Sequence, residues 1–353
     1  MELRKLRQKI DKIDNFILEL LNRRAEIITQ ISRIKKQQKK DVYSPEREKM
    51  ILSRLVKRNK GPLSKEALEA IYREIMSWSL SLQRSLKVAY LGPPATFTHL
   101  AALKKFGSQV NYIPCQTISD IFLVVEKDQV DYGVVPIENS IEGAVTHTLD
   151  MFIDSELNIC SQIVMNVSHN LLSKFPLKTI KRLYSNPQVF GQCRTWIEQN
   201  LPWAERIEVS STTRAAQIAA RQRYSGCIAS LLAAEVYNLN ILAKNIEDSP
   251  HNLTRFLVIG KTQTEPTGLD RTSILFSIKD RIGALHDMLV PFKKYKINLT
   301  KIESRPSKKK AWEYYFFVDL DGHCKDKRVK RALKELENKC TFLKILGSYP
   351  VGE

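Results

Sequence analysis

Arg24 interrupts an otherwise apolar series, and its position asks for a chemical explanation. Leu3, Leu6, Ile10, Ile13, Ile17, Leu20, Ile27, Ile31 and Ile34 recur in alternating steps of three and four, and Arg24 fills the one missing slot. That spacing is the apolar seam of a helix. A guanidinium in such a seam is costly unless an anion pairs with it; the plainer alternatives are a snorkelling side chain or a structural glutamate partner. Lys35 lies within about 20° of the same direction at 3.6 residues per turn. Two cations on one inward face suggest an anion pocket. Arg7 points about 100° away by the same count and is expected to serve another surface, such as the pocket of a partner subunit.

A second set of polar side chains, Glu138-Asn139-Ser140, ends the short apolar run Tyr132–Ile137, with Gly143 soon after. A run without alternation suits a strand buried on both faces of a parallel sheet. Ligands of open α/β sheets bind just past the carboxyl ends of strands. The three residues form either a binding edge or an ordinary helix cap. Asn252-Leu253-Thr254-Arg255-Phe256 likewise adjoins a strand-like run, Leu257-Val258-Ile259-Gly260.

The elements that must position these residues follow from pattern. No Gly or Pro interrupts Leu3–Lys39, so one helix of ~55 Å is expected. Ser44-Pro45 opens a second helix, and after Gly61-Pro62 a third runs from about Ser64 to Ser85, with Ser79 and Gln83 on one face. The first helix is too long for two short ones to cover, which favours a dimer. From Lys87 to Tyr237, strands and helices alternate in two halves, the mark of an α/β domain. Thr96 opens one of the helices, where free backbone N–H groups favour a carboxylate. Ser211 and Thr212 read equally well as helix caps or binding residues. Past a linker at Pro266–Asp270, the order βαββαβ is ferredoxin-like, and Lys308-Lys309-Lys310 suits a solvated hairpin loop.

The net charge is +18 over 353 residues, but it is unevenly spread. Residues 1–85 carry 21 Lys+Arg against 11 Asp+Glu, residues 86–270 carry 16 against 17, and residues 271–353 carry 19 against 10. Basic ends could attract nucleic acid or steer small dicarboxylates. The inward-facing Arg24 disfavours a DNA-binding helix, whose cations should face out. The six cysteines and six histidines show no metal-ligand or disulfide spacing, so no metal and a reducing compartment are expected. No apolar run spans a membrane and the N-terminus lacks a secretory pattern, pointing to the cytoplasm.

Arg7, Arg24, Lys35, Ser44, Arg47, Glu48, Ser79 and Gln83 on three helices resemble the active-site set of the all-helical chorismate mutase family, with Ser44 in place of the acid that some members carry. The resemblance implies that these residues bind chorismate, that Lys35 and Gln83 act on the breaking ether bond, and that Arg7 reaches the other subunit's site. Gly92-Pro93, Thr96-Phe97-Thr98-His99, Ser185-Asn186-Pro187-Gln188, Gln192-Cys193, Ser211-Thr212-Thr213-Arg214 and the Asn252–Phe256 stretch resemble, in order, the signature segments of prephenate dehydratase. Pro94-Ala95 departs from the Glu-Gly more usual there, and Asn186 from the usual His. That resemblance implies a bilobed, periplasmic-binding-protein-like domain. Thr254 would act on the leaving hydroxyl, Arg255 would anchor a carboxylate or organise the site, and Thr96, Glu138, Asn139, Ser140 and Gln192 would complete the prephenate pocket.

Gly283-Ala284-Leu285-His286 and Glu303-Ser304-Arg305-Pro306 resemble the two signatures of the ACT regulatory domain. By that resemblance Gly283, Ala284, Leu285 and Asn298 would contact L-phenylalanine as allosteric effector. Glu303, Ser304, Arg305 and Pro306 would close the pocket from a neighbouring subunit.

The expected architecture is therefore a helical mutase domain at 1–85, a bilobed α/β dehydratase domain at 86–266 and an α+β ferredoxin-like ACT domain at 271–353. The expected function is an isomerase and hydro-lyase of phenylalanine biosynthesis, taking chorismate through prephenate to phenylpyruvate without cofactor, as a homodimer or a tetramer. Two alternatives stay open on sequence: one catalytic domain inactive, or a bilobed small-ligand sensor with a basic nucleic-acid-binding helical domain.

Overall fold

The computed structural model describes residues 2–38, 41–249, 251–278, 281–306 and 314–351. The Lys308–Lys310 loop lies outside these. The chain forms two compact units, Met1–Leu86 with Phe106–Asn111, and Lys87–Lys105 with Tyr112–Glu353.

The first unit holds α1 (Glu2–Gln37), α2 (Pro45–Arg58) and α3 (Lys65–Gln83). Ser44 and Ser64 cap α2 and α3 by accepting from Arg47 N and Ala67 N, and Pro45 takes the first helical position of α2. Both α1 and α2 pack on α3. Even so, α1 buries none of its residues, and all nine apolar seam positions are exposed.

In the second unit the first lobe runs β1 (Lys87–Leu91), α4 (Phe97–Phe106), β2 (Asn111–Cys115), α5 (Ile118–Glu126), β3 (Tyr132–Asn139), β4 (Gly143–Ala144), α6 (Thr146–Asp154) and β5 (Asn158–Asn166). The second lobe runs β6 (Asn170–Ser173), β7 (Arg182–Ser185), α7 (Pro187–Gln192), α8 (Arg194–Asn200), β8 (Glu205–Glu208), α9 (Thr212–Ala219), β9 (Ser225–Ala229), α10 (Leu231–Tyr237) and β10 (Asn240–Ala243). The chain then returns to the first lobe as β11 (Leu253–Gly260), and β12 (Asp270–Ser277), α11 (Ala284–Lys294), β13 (Leu299–Pro306), β14 (Tyr314–Asp321), α12 (Lys327–Glu337) and β15 (Phe342–Pro350) follow.

The first sheet has order β2-β1-β3-β11-β5, with β4 beside β3. It is mixed rather than parallel: β3 runs parallel to β1, but the returning β11 is antiparallel to β3 and to β5. A strand inserted from the far end of the domain must arrive from the opposite direction, and periodicity does not reveal it. The second sheet has order β10-β6-β9-β7-β8. β2, β8 and β10 are edge strands with little burial. The chain breaks at Cys193 between α7 and α8.

The C-terminal sheet, β13-β14-β12-β15, is ferredoxin-like and has apolar side chains on both faces. Ile274, Phe276 and Val318 pack on α11 and α12 through Met288, Phe292 and Leu336. Alternate residues Leu275, Phe317 and Tyr349 share one core with Val135, Ile137, Phe152 and Leu257 of the first lobe. Sequence reading separates these two domains; the shared core joins them in one unit.

Candidate active sites

Seven of the eight residues expected to hold chorismate line a single cavity of about 590 Å³ within the helical unit: Arg24, Lys35, Ser44, Arg47, Glu48, Ser79 and Gln83. Arg7 is exposed and does not line it. α1 contributes the two cations, the α2 N-terminus Ser44, Arg47 and Glu48, and the last turns of α3 Ser79 and Gln83. Arg24 Nη1 donates to Ser79 Oγ, which itself donates to Ile75 O at 2.6 Å. Among the described residues Arg24 meets no carboxylate. Burial pulls its pKa below the ordinary value, opposed by Tyr72. Lys35 Nζ donates to Asp41 O and Val42 O, each at 2.9 Å, and Tyr43 Oη donates to Glu48 Oε2 at 3.1 Å. Gln83 donates to Ser79 O at 3.2 Å, while its Oε1 is buried without a partner.

The bilobed unit holds a second constellation, at the edge where β3 and β11 end. Thr254 pairs with Asn139 across the two strands, and Asn139 Nδ2 donates at 2.8 Å both to Thr254 Oγ1 and to Asn252 Oδ1. Two backbone donors fix that amide: Ile141 N and Glu142 N reach Asn139 Oδ1 at 2.8 and 3.1 Å. Thr254 therefore accepts from Asn139 and keeps its own O–H to donate. Asn252 Nδ2 donates in turn to Gln192 Oε1 at 3.1 Å, and His169 Nε2 stands 2.7 Å from the same oxygen. Gln192 also borders a cavity of about 390 Å³ with Glu142, Gln188, Glu247, Asp248 and Asn252. These side chains come from both lobes, so a ligand held here would bridge them.

Three family descriptions match successive parts of the chain: chorismate mutase type II over residues 6–84, prephenate dehydratase over 88–264 and ACT domain over 272–338. The bifunctional chorismate mutase/prephenate dehydratase of Aquifex aeolicus is 52% identical over 354 residues, covering 99% of this chain and 98% of that protein. That of Pseudomonas aeruginosa is 44% identical over 356 residues, with the same coverage. The chain belongs to the bifunctional chorismate mutase/prephenate dehydratase family. It is an enzyme of both activities, converting chorismate to prephenate and prephenate to phenylpyruvate. Among solved structures, a prephenate dehydratase from Arthrobacter aurescens in complex with L-Phe is 33% identical, with a TM-score of 0.71, covering 75% of this chain and 90% of that one.

Not every residue expected in the dehydratase cleft faces Thr254. Strand neighbours point to opposite faces, so Arg255 and Glu138 turn away from Thr254 and Asn139 towards the ACT sheet. Arg255 Nη1 lies 3.1 Å from Glu138 and Nη2 2.5 Å from Asp319 of β14, and Lys301 of β13 also pairs with Glu138. Burial works to lower the Arg255 pKa, but Tyr349, Asp319 and Glu138 outweigh it and the pKa is raised. The organising half of the expectation for Arg255 fits this geometry; direct carboxylate anchoring does not. Thr96 caps α4, accepting from His99 N at 3.2 Å and donating to Leu91 O at 2.7 Å. Ser140 Oγ ties the β3 end to the returning chain, donating to His251 O at 2.8 Å and accepting from Leu253 N at 3.0 Å. Ser211 and Asn186 are helix caps. Ala95 has φ +74° and is buried, a backbone region that favours glycine, which accounts for the glycine usual at this place.

Sequence reasoning missed Asn252 and His169 as members of the cleft. Asn252 opens the Asn252–Phe256 stretch, and strand alternation places it on the Thr254 side. A lone histidine without ligand spacing carries no comparable signal.

In the ACT domain, Gly283, Ala284 and Leu285 line a hollow of about 280 Å³ with Arg281, Tyr314 and Phe316. Gly283 has φ +75° at the start of α11. Asn298 is not part of this hollow and donates to Asp321 at 3.0 Å. Glu303, Ser304, Arg305 and Pro306 lie on edge strand β13 and do not line it; Arg305 pairs with Asp150 of α6 at 3.3 Å.

Proposed function

We propose that the cavity of the helical unit is the mutase site, and that it binds chorismate through Arg24, Lys35, Ser44, Arg47, Glu48, Ser79 and Gln83. Arg24 carries this reading, a half-buried guanidinium held by Ser79 with no carboxylate among the described residues. An anion is the missing partner. Arginines would hold the substrate's two carboxylates in the reactive diaxial form. Lys35 and Gln83 would donate to the ether oxygen as its bond breaks, stabilising charge that develops in the transition state. Glu48 would accept from the substrate hydroxyl.

Prephenate would bind between the lobes. Its ring becomes aromatic as the carboxylate leaves as CO2 and the ring hydroxyl leaves as water, so one proton must reach the departing oxygen. Thr254, held as an acceptor by Asn139, is the hydroxyl with a hydrogen left to offer it. Gln192 and Asn139 would orient the substrate, with Thr96 and Ser140 shaping the edge and Arg255 and Glu138 fixing the strands from behind.

The hollow at Gly283 would bind L-phenylalanine, which the Arthrobacter aurescens relative holds in its solved complex. The exposed apolar seam of α1 fits a homodimer in which the long helices pack together and Arg7 enters the partner's site. We take 1–85, 86–266 and 271–353 as the functional divisions and the cytoplasm as the compartment; no helix of the described residues is long and apolar enough to cross a membrane.

Supplying chorismate and following prephenate and phenylpyruvate separately tests both sites. Lys35→Ala should slow prephenate formation by roughly 10²–10³ yet still process added prephenate. Thr254→Val should accumulate prephenate. Full turnover by either variant removes that residue from its site.

A further inference from the structure

His169 is a buried titratable side chain for which the reaction has so far supplied no use. It is 2% exposed and lies on the crossover between β5 and β6, one of two segments joining the lobes. Asn252 lies on the other, just before β11, and the two crossovers are bonded through Val167 N and Asn252 O at 2.7 Å. Gln192, on α7 of the second lobe, accepts on Oε1 from Asn252, and His169 Nε2 stands 2.7 Å from the same oxygen.

The direction of every bond in this chain follows from its far end. The backbone N–H groups of Ile141 and Glu142 force Asn139 to present its oxygen to them and its NH2 to Asn252 and Thr254. Asn252 must then offer its NH2 to Gln192, whose oxygen faces inward and whose NH2 lies 3.3 Å from Glu142 at the cleft. An oxygen already accepting cannot be satisfied by a lone pair at 2.7 Å, so His169 must carry its hydrogen on Nε2. With the hydrogen on Nδ1, either two lone pairs would face each other or Gln192 would rotate. Rotation would turn its NH2 onto that of Asn252 and its oxygen onto the Glu142 carboxylate. Nδ1 is buried and unpartnered, and burial lowers the ring's pKa, against the Gln192 bond and Glu247, which keeps it neutral.

We propose that His169 is a positioning residue of the dehydratase reaction, its Nε2–H fixing the Gln192 carboxamide so that the NH2 faces the cleft and a carboxylate of the substrate. This rests on the reading of the Thr254 cleft as the dehydratase site. His169 touches no reacting atom; it sets which end of Gln192 does.

His169→Leu, His169→Gln, His169→Asn and Thr254→Val are compared in the full-length chain with prephenate as substrate and mutase turnover as a folding control. His169→Leu should raise KM, lowering kcat/KM by about 10- to 100-fold, while Thr254→Val should act mainly on kcat. The longer amide of His169→Gln can place an N–H where Nε2 stands and should restore KM to within a few-fold; His169→Asn is too short and should not. Nitrogen-15 NMR of the wild-type protein should show His169 as the Nε2–H tautomer at neutral pH. An Nδ1–H tautomer, or a wild-type KM in His169→Leu beside an impaired Thr254→Val, overturns the proposal. Unchanged turnover in Thr254→Val overturns instead the site reading beneath it.

Discussion

Arg255 and Asp319 meet at 2.5 Å in an ion pair that joins the dehydratase strand β11 to the ACT strand β14, with both side chains less than a tenth exposed. Each partner has further support: Arg255 also reaches Glu138, and Asp319 accepts from Ser273 Oγ at 2.5 Å. The pair sits directly behind Thr254 and Asn139, so the strand bearing the proposed proton donor is gripped from its other face by the regulatory domain.

Removing one member of a buried pair leaves the other charge unmet, at a cost of about 3–5 kcal/mol. Asp319→Ala is therefore expected to lower the urea midpoint of the dehydratase–ACT unit and slow dehydratase turnover, with mutase turnover retained. Denaturation followed by tryptophan fluorescence, beside the two assays, checks this. An unchanged midpoint would mean that the pair contributes nothing net.

Gly347 makes a further close contact between these domains, against Ile159 of β5. A Cβ built there would stand 2.3 Å from Ile159 O and 2.8 Å from Ile159 N, and φ is +154°. The obstacle is backbone, which cannot swing aside. Gly347→Ala should cost about 1–3 kcal/mol, as overpacking does, and lower the melting temperature. A variant that melts with wild type would show that the sheets can separate at no cost.

The proposed mutase pocket is legible in part because a helical period of 3.6 relates spacing to direction and puts Arg24 with Lys35, and Ser79 with Gln83, on shared faces; Ser44, Arg47 and Glu48 enter it only through the family resemblance. The dehydratase cleft is less so. Its motifs are recognisable in sequence, but they group Thr254-Arg255 and Glu138-Asn139 as one pocket although adjacent strand residues point apart. The ion pair to Asp319 joins positions 64 residues apart, which no local pattern reports. Edge strands such as Glu205–Glu208 bury too little to show alternation.

The Lys35 prediction turns on magnitude. Losing a donor to a developing oxyanion lowers turnover by roughly 10²–10³, and Lys35→Ala should fall in that range for the mutase. Lys35 also braces the 41–42 backbone. Lys35→Gln, which can keep part of that bracing without the charge, should recover the melting temperature but not the rate. Recovery of both would make the role structural.

Stability should depend on pH through two histidines. His99 accepts from Ala95 N at 3.1 Å and stacks on Tyr90, and burial lowers its pKa, as it does for His169. The unfolded chain then takes up protons near the ordinary value of about 6.5, before the folded chain does. Stability present above that pH is lost as pH falls through the folded values. The urea midpoint should drop between about pH 7.5 and 5, less steeply in His99→Leu, and a flat profile in wild type would contradict this.

The regulatory prediction rests on Gly283. Its Cβ would meet nothing within 4 Å, so a substitution there acts through the backbone: φ +75° is a conformation that costs an L-residue roughly 1–2 kcal/mol. A β-branched side chain would also project into open space at the mouth of the hollow lined by Leu285, Tyr314 and Phe316. Gly283→Val should therefore weaken L-phenylalanine binding and leave uninhibited dehydratase turnover near wild type, because the cleft lies on other strands. Gly283→Ala carries the strain with less bulk and should fall between. A ligand shifts activity only as far as it prefers one state, so calorimetric affinity and inhibition should weaken together across the series. Binding lost with inhibition retained would place the effector elsewhere, and a wild-type enzyme that neither binds phenylalanine nor slows in it would leave the ACT domain as an assembly module.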